Sequence, residues 1–351
     1  MTAGGTKLRN SAVGVVLFAV LVVLAHSQRL QAQQDHFVTV STLKCRSLAM
    51  GAAAMAVADD FGALSMNPAA VELYAAPKTF RLTLLFNPVS PAVALARGRE
   101  LRGAMGSKIG DVAVATATVL KGAAVTISPF ELLLTWGEET PGFGPRRHGP
   151  EGFQLRNYLD AFSSSIGVRV RLASQVALGV GIDVWHLSRE HSQLWQWGFS
   201  YGVLIRPDPR LSVGLVYTEL PDSFSHARQT LERIGDESLN LGLAWRPFPT
   251  TVLSADLRHI GEEGDPLTRE LHLGAEQVVF RHLAMRGGVY RKRDNRRFTY
   301  SFGVGLLDLN AFVGSERQFT HPTFILNYAL VYREMADGPE RWHLLSMLFR
   351  L

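Results

Sequence analysis

Apolar and polar residues alternate along most of the chain from about residue 79 onward. In residues 195–206, the odd-numbered positions are aromatic or aliphatic, and the even-numbered positions are mostly small or polar. A repeat of two is the side-chain period of a β-strand, so each such run predicts a strand with one apolar face. The same alternation recurs in residues 176–184, 211–218, 238–246, 271–276, 283–290, 298–306 and 324–332.

Turn-forming residues separate these runs. Proline, glycine, aspartate and asparagine gather at 206–209, 246–250, 261–266, 292–295 and 337–339. Strands that follow one another without intervening helices pair antiparallel. Counting the runs predicts roughly 12 to 15 strands of about ten residues, which is the length that a tilted strand needs to cross a bilayer.

Three features favour a transmembrane β-barrel over a soluble sandwich or propeller. The apolar positions carry almost no charge, as a lipid-facing exterior requires. Aromatic residues such as Trp195, Trp245 and Tyr332 lie near strand ends, where membrane interfaces would be. The sequence also ends on a strand, 342–351, which would pair with the first strand and close the barrel. Residues 79–351 are therefore predicted to form an all-β, transmembrane antiparallel barrel.

The first 32 residues are predicted to be a cleavable signal peptide. Lys7 and Arg9 precede an unbroken apolar run, Val13 to Ala25, and small-residue cleavage sites follow at 25–27 or 30–32. The run is shorter than the roughly 20 residues of a transmembrane helix. We therefore expect export to the outer membrane of a Gram-negative type of cell, with membrane lipids and the barrel assembly machinery as partners.

Composition excludes several other classes. The only cysteine is Cys45, so an exported chain has no internal disulfide, and the net charge of +5 is too small and scattered for nucleic-acid binding. Histidines occur singly, without the spacing of zinc ligands. Glycines lie within predicted strands, where barrels use them for curvature, and do not form a nucleotide-binding loop. No cofactor, no metal and no enzymatic activity are predicted.

Residues 33–78 depart from the strand pattern. This segment is rich in alanine, and Leu48, Ala52, Met55 and Ala56 recur at helical spacing. It is either a short helix and loop ahead of the barrel or a plug, because small residues let a helix pack closely inside a lumen.

Residues 46–70 resemble the N-terminal signature of the FadL-like and PorV/PorQ-like outer membrane proteins. In that family, a stretch rich in glycine and alanine leads to "ADD" and then to "NPAG". Here these motifs lie at 58–60 and 67–70, with Ala70 in the place of the glycine. Runs in the C-terminal third, including 239–245, 254–257, 273–276, 283–290 and 302–306, are similar to strands of that family in the same order. The resemblance implies a barrel of about 14 strands with an N-terminal segment folded into the lumen.

The resemblance also implies a function. Better-known members carry hydrophobic compounds inward across the outer membrane, and the PorV-like branch acts as a shuttle or scaffold in protein secretion. We therefore expect a conduit for hydrophobic or small amphipathic solutes. The alternative is a non-conducting scaffold that binds a secretion-system protein. A remote alternative is an outer membrane hydrolase, although His321, His343 and Ser346 are too common a set to indicate one.

Two sets of residues are candidates for function. In the first set, Asn67 and Pro68 would fix a turn in the plug, and Asp59 and Asp60 would bond to lumen arginines. The alternative is that the Asn-Pro pair simply ends a helix. The second set lies on the inward face of predicted strands, where it would bind an anionic solute or form ion pairs across the lumen. Its members are Arg169, Arg171, Asp183, Arg246, Asp256, Arg258, Glu276, Arg286 and Arg297.

The alternation also predicts how single substitutions behave. Leu241 lies on the predicted lipid face and Asn240 on the opposite face. An arginine at position 241 is therefore expected to destabilise the barrel far more than an arginine at position 240.

Overall fold

The computed structural model describes residues 35–39, 42–57, 61–70, 80–87, 119–139, 153–155, 161–189, 192–219, 231, 237–260, 269–279, 283–291, 297–306, 323–335 and 338–350. Strands dominate these residues. The helical parts are α1 (Cys45–Ala49) and a 3₁₀ turn (Phe61–Ser65). No helix in the described part of the chain is long and apolar enough to span a membrane.

The strands are numbered in chain order. They are β1 (Asp35–Thr39), β2 (Arg81–Phe86), β3 (Leu120–Ile127), β4 (Phe130–Glu139), β5 (Phe153–Leu155), β6 (Ala161–Ala173), β7 (Val176–Arg189), β8 (Ser192–Asp208), β9 (Leu211–Glu219), β10 (Ser238–Trp245), β11 (Thr251–Arg258), β12 (Glu270–Val279), β13 (Leu283–Arg291), β14 (Phe298–Leu306), β15 (Thr323–Arg333) and β16 (Glu340–Arg350).

Strands β2 to β4 and β6 to β16 form a closed barrel of 14 antiparallel strands. Each pairs with its neighbour in sequence, and β16 closes the ring by pairing with β2 at Phe349–Phe86 and Arg350–Leu85. The all-β prediction, the count of about 14 strands and the pairing of the last strand with the first barrel strand are confirmed. Closure leaves the barrel wall without a free strand edge at these residues.

Strand β1 was not predicted. It runs parallel to β16 along 340–344 and also pairs with β5, so the two ends of β16 have different partners. Five residues that alternate only briefly give too weak a signal for a strand. The parallel pairing depends on a partner some 300 residues away, which local pattern does not reveal.

Side chains alternate between the two faces of the barrel wall, with apolar side chains outside and polar side chains inside. A water-soluble protein has the reverse arrangement. On β10, Leu241 and Leu243 on the outer face are 40% and 45% exposed, whereas Asn240 on the inner face is fully buried. Trp197 and Phe302 are likewise exposed on the outside. Soluble domains rarely expose such continuous apolar surface. The outer face is apolar all round the described wall, and the inner face carries most of the polar and charged groups.

Successive hairpin turns at one end of the barrel are short. Residues 174–175 join β6 to β7, residues 209–210 join β8 to β9, and residues 246–250 join β10 to β11. We call this the short-turn end.

Candidate functional site

The interior of the barrel holds residues 42–57 and 61–70, which we call the inner segment. Helix α1 contacts β13, β14, β15 and β16, and the 3₁₀ turn contacts β6 and β7. Nearly every described side chain of the inner segment is buried, including Cys45, Ala53 and Asn67, which have no exposed surface. The inner segment therefore crosses the lumen and contacts opposite walls.

Glycines on the inner face allow the inner segment to lie directly against the wall. A Cβ atom added at Gly288 would overlap the backbone of Met50 and Gly51, and one added at Gly179 would overlap Pro68. Gly51 itself has a φ of +65° and lies so close that a Cβ there would be 2.8 Å from Leu273 O. The wall glycines in contact with the inner segment are Gly167, Gly179, Gly202, Gly214, Gly242, Gly274, Gly288 and Gly303.

These glycines form a band that passes across neighbouring strands. Gly179 pairs with Gly202, Gly214 with Gly242, and Gly274 with Gly288. From their positions within predicted strands, these glycines were expected to provide curvature. The contacts give them a second role, because they leave the space that the inner segment occupies.

Charged groups on β11 bind the backbone of the inner segment. Both Ala54 N–H and Met55 N–H donate to Asp256 Oδ2, at 2.9 and 3.1 Å. Arg258, which is fully buried, donates to Ala52 O and lies 3.5 Å from the same carboxylate. Side chains of one strand thus satisfy backbone donors and an acceptor that the irregular inner segment leaves without helical partners.

Strands β12 and β14 hold the turn that follows α1. His272 Nδ1 lies 2.7 Å from Gly51 O, Gly51 N–H donates to Ser301 Oγ at 2.8 Å, and Ser301 donates to Ala49 O at 3.0 Å. Neither His272 nor Ser301 was among the candidate residues predicted from the sequence. Both lie on the polar face of their strands, so the alternation could have included them among the inward residues.

Glu276 joins the inner segment to the wall through an ion-pair cluster. Arg46 of α1 donates two hydrogen bonds to this carboxylate, both of 2.7 Å, and Arg286 of β13 donates a third, also of 2.7 Å. Arg286 further donates to Asn327 at 2.8 Å. The side chains of Glu276 and Arg286 are almost completely buried, so the cluster lies where water does not screen its charges.

Asn67 fixes the other end of the inner segment. Its Nδ2 donates to Met55 O at 2.8 Å, and its Oδ1 accepts Ala69 N–H at 3.0 Å, an Asx turn around Pro68. Asn67 therefore ties the two halves of the inner segment together. Of the four residues in the predicted signature, Asn67 and Pro68 are placed here, and Asp59 and Asp60 lie outside the described residues.

The other inward candidates differ in their surroundings. Arg169 is buried, pairs with Glu131 at 2.9 Å and donates to Ala69 O at 2.9 Å. Asp183 is buried and accepts a hydrogen bond from Ser165. Three candidates are only half-buried: Arg171, which lies near the end of β6, and Arg246 and Arg297, which lie just outside strands.

The chain resembles solved barrel proteins at low identity. The Pseudomonas putida toluene transporter TodX is 11% identical, over 91% of this chain and 98% of that chain, with a TM-score of 0.45. The CymD monoaromatic hydrocarbon channel is 11% identical, over 89% and 97%, with a TM-score of 0.44. A mutant Rh. blastica porin is 10% identical, over 66% and 77%, with a TM-score of 0.34. No protein-family model and no curated protein matches the sequence.

Near the closure of the barrel, the inner segment contributes Leu43 and Leu64 to one buried apolar cluster with Leu85, Leu133 and Leu348 of the wall. Polar bonds accompany this packing, because Leu43 N–H donates to Glu138 Oε2 at 2.6 Å and Arg169 donates to Ala69 O. At β11 to β14, hydrogen bonds and ion pairs hold the inner segment, and Val252 of β11 also belongs to an apolar cluster with Leu48 and Met66. Packing and polar bonds thus act together on both sides of the lumen.

The residues suggested for a hydrolase do not form a catalytic arrangement in the described part of the chain. His343 lies 2.9 Å from Tyr328 Oη and 3.1 Å from His36 Nδ1, and Ser346 is buried beside its strand partner Asn327. His321 lies outside the described residues.

Asn240 is not an open lumen position. It is fully buried, and its Oδ1 accepts His259 N–H at 3.1 Å. An arginine there would exceed the available space and remove this bond, so Asn240→Arg is not the mild change expected from the sequence.

Proposed function

We propose that this chain is an outer membrane barrel that conducts hydrophobic or small amphipathic solutes, and that the inner segment is its plug. The observation that carries the proposal is the packing of Leu43 and Leu64 of the inner segment against leucines of the wall near the closure of the barrel. The leucine side chains meet through apolar surface, while the backbone of the inner segment bonds to Glu138 and Arg169. A hydrophobic solute can replace contacts between the leucine side chains without leaving buried polar groups unsatisfied, whereas replacing the contacts at Asp256 and Glu276 would leave several.

The apolar exterior supports the membrane location. A belt of exposed leucine, valine and aromatic side chains meets lipid favourably, and all strands of the closed ring have hydrogen-bonded neighbours. Membrane lipids and the barrel assembly machinery are then the expected partners. Export by the predicted signal peptide, residues 1–32, belongs to the same proposal, although these residues lie outside the described part.

An arginine on the outer face tests the membrane location. Leu241→Arg places a charge in the middle of β10, and we expect it to destabilise the barrel by about 2–4 kcal/mol in phospholipid vesicles. Phe248→Arg is the matched control, because Phe248 is 65% exposed in a turn at the short-turn end, where an arginine is expected to destabilise by at most about 1 kcal/mol. Reversible urea unfolding measures both, and equal effects would contradict a lipid-facing β10.

Removal of the inner segment tests the plug. Deleting residues 46–70 should raise single-channel conductance in planar bilayers, because the described residues of this range, 46–57 and 61–70, occupy the lumen in the intact chain. Conductance equal to that of the intact chain, from a variant that still migrates as a folded barrel, would count against a plug.

A non-conducting scaffold, similar to the PorV-like branch, is the second candidate. Bonds from β6, β11, β12 and β14 fix the inner segment, and such dense attachment favours a permanently filled lumen. Uptake of a hydrophobic dye separates the two proposals. A conduit accelerates dye entry into cells that export the chain, and a scaffold leaves entry at the rate of cells without it.

A further inference from the structure

A row of aromatic and basic side chains crosses the outer face of the barrel at the end opposite the short-turn end. Strand register places its members side by side, because Tyr300 of β14 pairs with Tyr332 of β15, which pairs with Arg341 of β16. One step nearer the end of the barrel, Arg291 of β13 pairs with Phe298 of β14. These five residues alternate with buried residues along their strands, so their side chains face outward. We call them the outer row.

The outer row marks the edge of the apolar exterior. Arg291 is the last residue of β13 and Phe298 the first of β14, so these strands end here. Toward the middle of the barrel, the next outward residues on these two strands are apolar, Val289 and then Tyr300 and Phe302, and Phe302 is 49% exposed. Aromatic and basic side chains at such an edge are typical of the depth at which lipid headgroups meet hydrocarbon.

Ring contacts hold both arginines of the outer row. Cζ of Arg291 lies 5.2 Å from the centroid of the Phe298 ring, and Cζ of Arg341 lies 5.8 Å from that of the Tyr332 ring. The Tyr300 ring joins the two pairs, with its centroid 5.8 Å from that of Phe298 and 6.5 Å from that of Tyr332. A guanidinium group is attracted to an aromatic ring without using its N–H donors.

A chain of hydrogen bonds orients Arg341 further. Its Nη1 lies 3.4 Å from His36 Nε2 of β1, and because arginine only donates, this nitrogen accepts. His36 Nδ1 then donates to His343 Nε2 at 3.1 Å, and His343 Nδ1 lies 2.9 Å from Tyr328 Oη. This chain engages one N–H of the guanidinium group. The other N–H groups of Arg341 have no hydrogen-bond partner among the residues that the structure describes.

The acidic residues near the outer row bond elsewhere. Glu340 is buried on the inner face and pairs with Arg333 at 2.7 Å. Glu334 accepts a backbone N–H of β14 at 3.4 Å. Within the described part of the chain, no carboxylate forms an ion pair with Arg291 or Arg341. Arg291 is exposed and Arg341 half-buried, so both present positive charge to groups outside the chain.

We propose that Arg291 and Arg341 each bind the phosphate of an anionic lipid headgroup at this edge of the barrel. Guanidinium groups bind phosphate oxygens through paired N–H donors. The two arginines are three strands apart, about 14 Å, so each binds a phosphate of its own. The exposed Tyr300 and Phe302 rings contact the acyl chains of the lipid, which a free phosphate ion lacks. The inference rests on the proposed membrane location and does not depend on conduction of a solute.

Native mass spectrometry of the folded full-length chain, released from a non-ionic detergent, tests the lipid site. The probes are dioctanoyl phosphatidylglycerol, which is anionic, and dioctanoyl phosphatidylcholine, which is zwitterionic. We expect the intact chain to bind the anionic lipid about fivefold more tightly. The double variant Arg291→Gln/Arg341→Gln should reduce this preference to less than about twofold.

Arg210→Gln/Arg269→Gln is the matched control. It removes the same charge from two exposed arginines that lie outside the outer row, so it should leave the preference within about twofold of that of the intact chain. Equal losses in the two double variants, or an intact chain without a preference, would overturn the inference. Displacement of the anionic lipid by an equal concentration of inorganic phosphate would identify a free anion as the ligand and would also contradict a lipid site.

Folding and membrane insertion are checked separately. Heat-modifiable migration shows whether each variant folds. If the double variant does not fold, Arg291→Gln alone should still lower the affinity for the anionic lipid by about twofold or more, and unchanged affinity would rule out the site. A chain that does not float with phosphatidylcholine vesicles contradicts the proposed membrane location itself, whereas a chain that floats but shows no lipid preference contradicts only the lipid site.

Discussion

Replacing Glu276 by glutamine is expected to destabilise the folded chain by about 3–5 kcal/mol, because the change leaves buried arginine charges without their counter-ion. Arg46 and Arg286 both bond to this carboxylate at 2.7 Å, and Arg286 has almost no exposed surface. Glutamine keeps the size of the side chain but removes its negative charge. Urea unfolding in phospholipid vesicles, followed by tryptophan fluorescence, measures the difference.

Two further variants give this prediction its controls. Glu219→Gln removes the same charge from an exposed residue at the end of β9 and should change the stability by less than about 1 kcal/mol. Arg46→Gln should destabilise less than Glu276→Gln, since Glu276 retains Arg286. If Glu276→Gln proves no more harmful than Glu219→Gln, the ion-pair cluster does not hold the inner segment to the wall.

Replacing Gly288 by valine is expected to displace the inner segment. The new side chain would overlap the backbone of Met50 and Gly51, which cannot rotate away as a flexible side chain could. Overpacking of this kind costs about 1–3 kcal/mol or more. We therefore expect a lower thermal midpoint for loss of the folded band on gels, and faster hydrogen exchange in residues 46–57.

The adjacent residue provides a matched control. A Cβ atom added at Gly287 would approach only Ser301 O, at 4.0 Å. Gly287→Val should therefore leave both the thermal midpoint and the exchange of residues 46–57 close to those of the intact chain. Similar behaviour of the two variants would mean that the inner segment does not lie against the glycine band.

Much of the barrel wall could be predicted from the sequence, because strand pairing here is mostly local. Consecutive strands such as β9 and β10 pair along their whole lengths, and alternation alone assigns Leu241 outward and Asn240 inward. Strand β1 was missed because its parallel partner, β16, lies at the far end of the chain.

The candidate site was predictable only as a list of inward residues. Alternation places Asp256, Glu276 and Arg171 on the same face but does not separate them, since the strand period carries no information about depth or partner. Asp256 is fully buried and binds the backbone of Ala54, whereas Arg171 is only half-buried near the end of β6. The tight packing of Asn240 could not be predicted either. It depends on the backbone of His259, which donates a hydrogen bond to the Asn240 side chain and which alternation does not place.

Heat modifiability on a gel tests most directly whether this chain forms a closed barrel in the outer membrane. The full-length chain would be expressed, the outer membrane fraction isolated, and samples run with and without boiling. A faster-migrating unboiled band in that fraction is the predicted result, because a closed barrel resists detergent until it is heated. A periplasmic, soluble protein with no change in migration would contradict the claim.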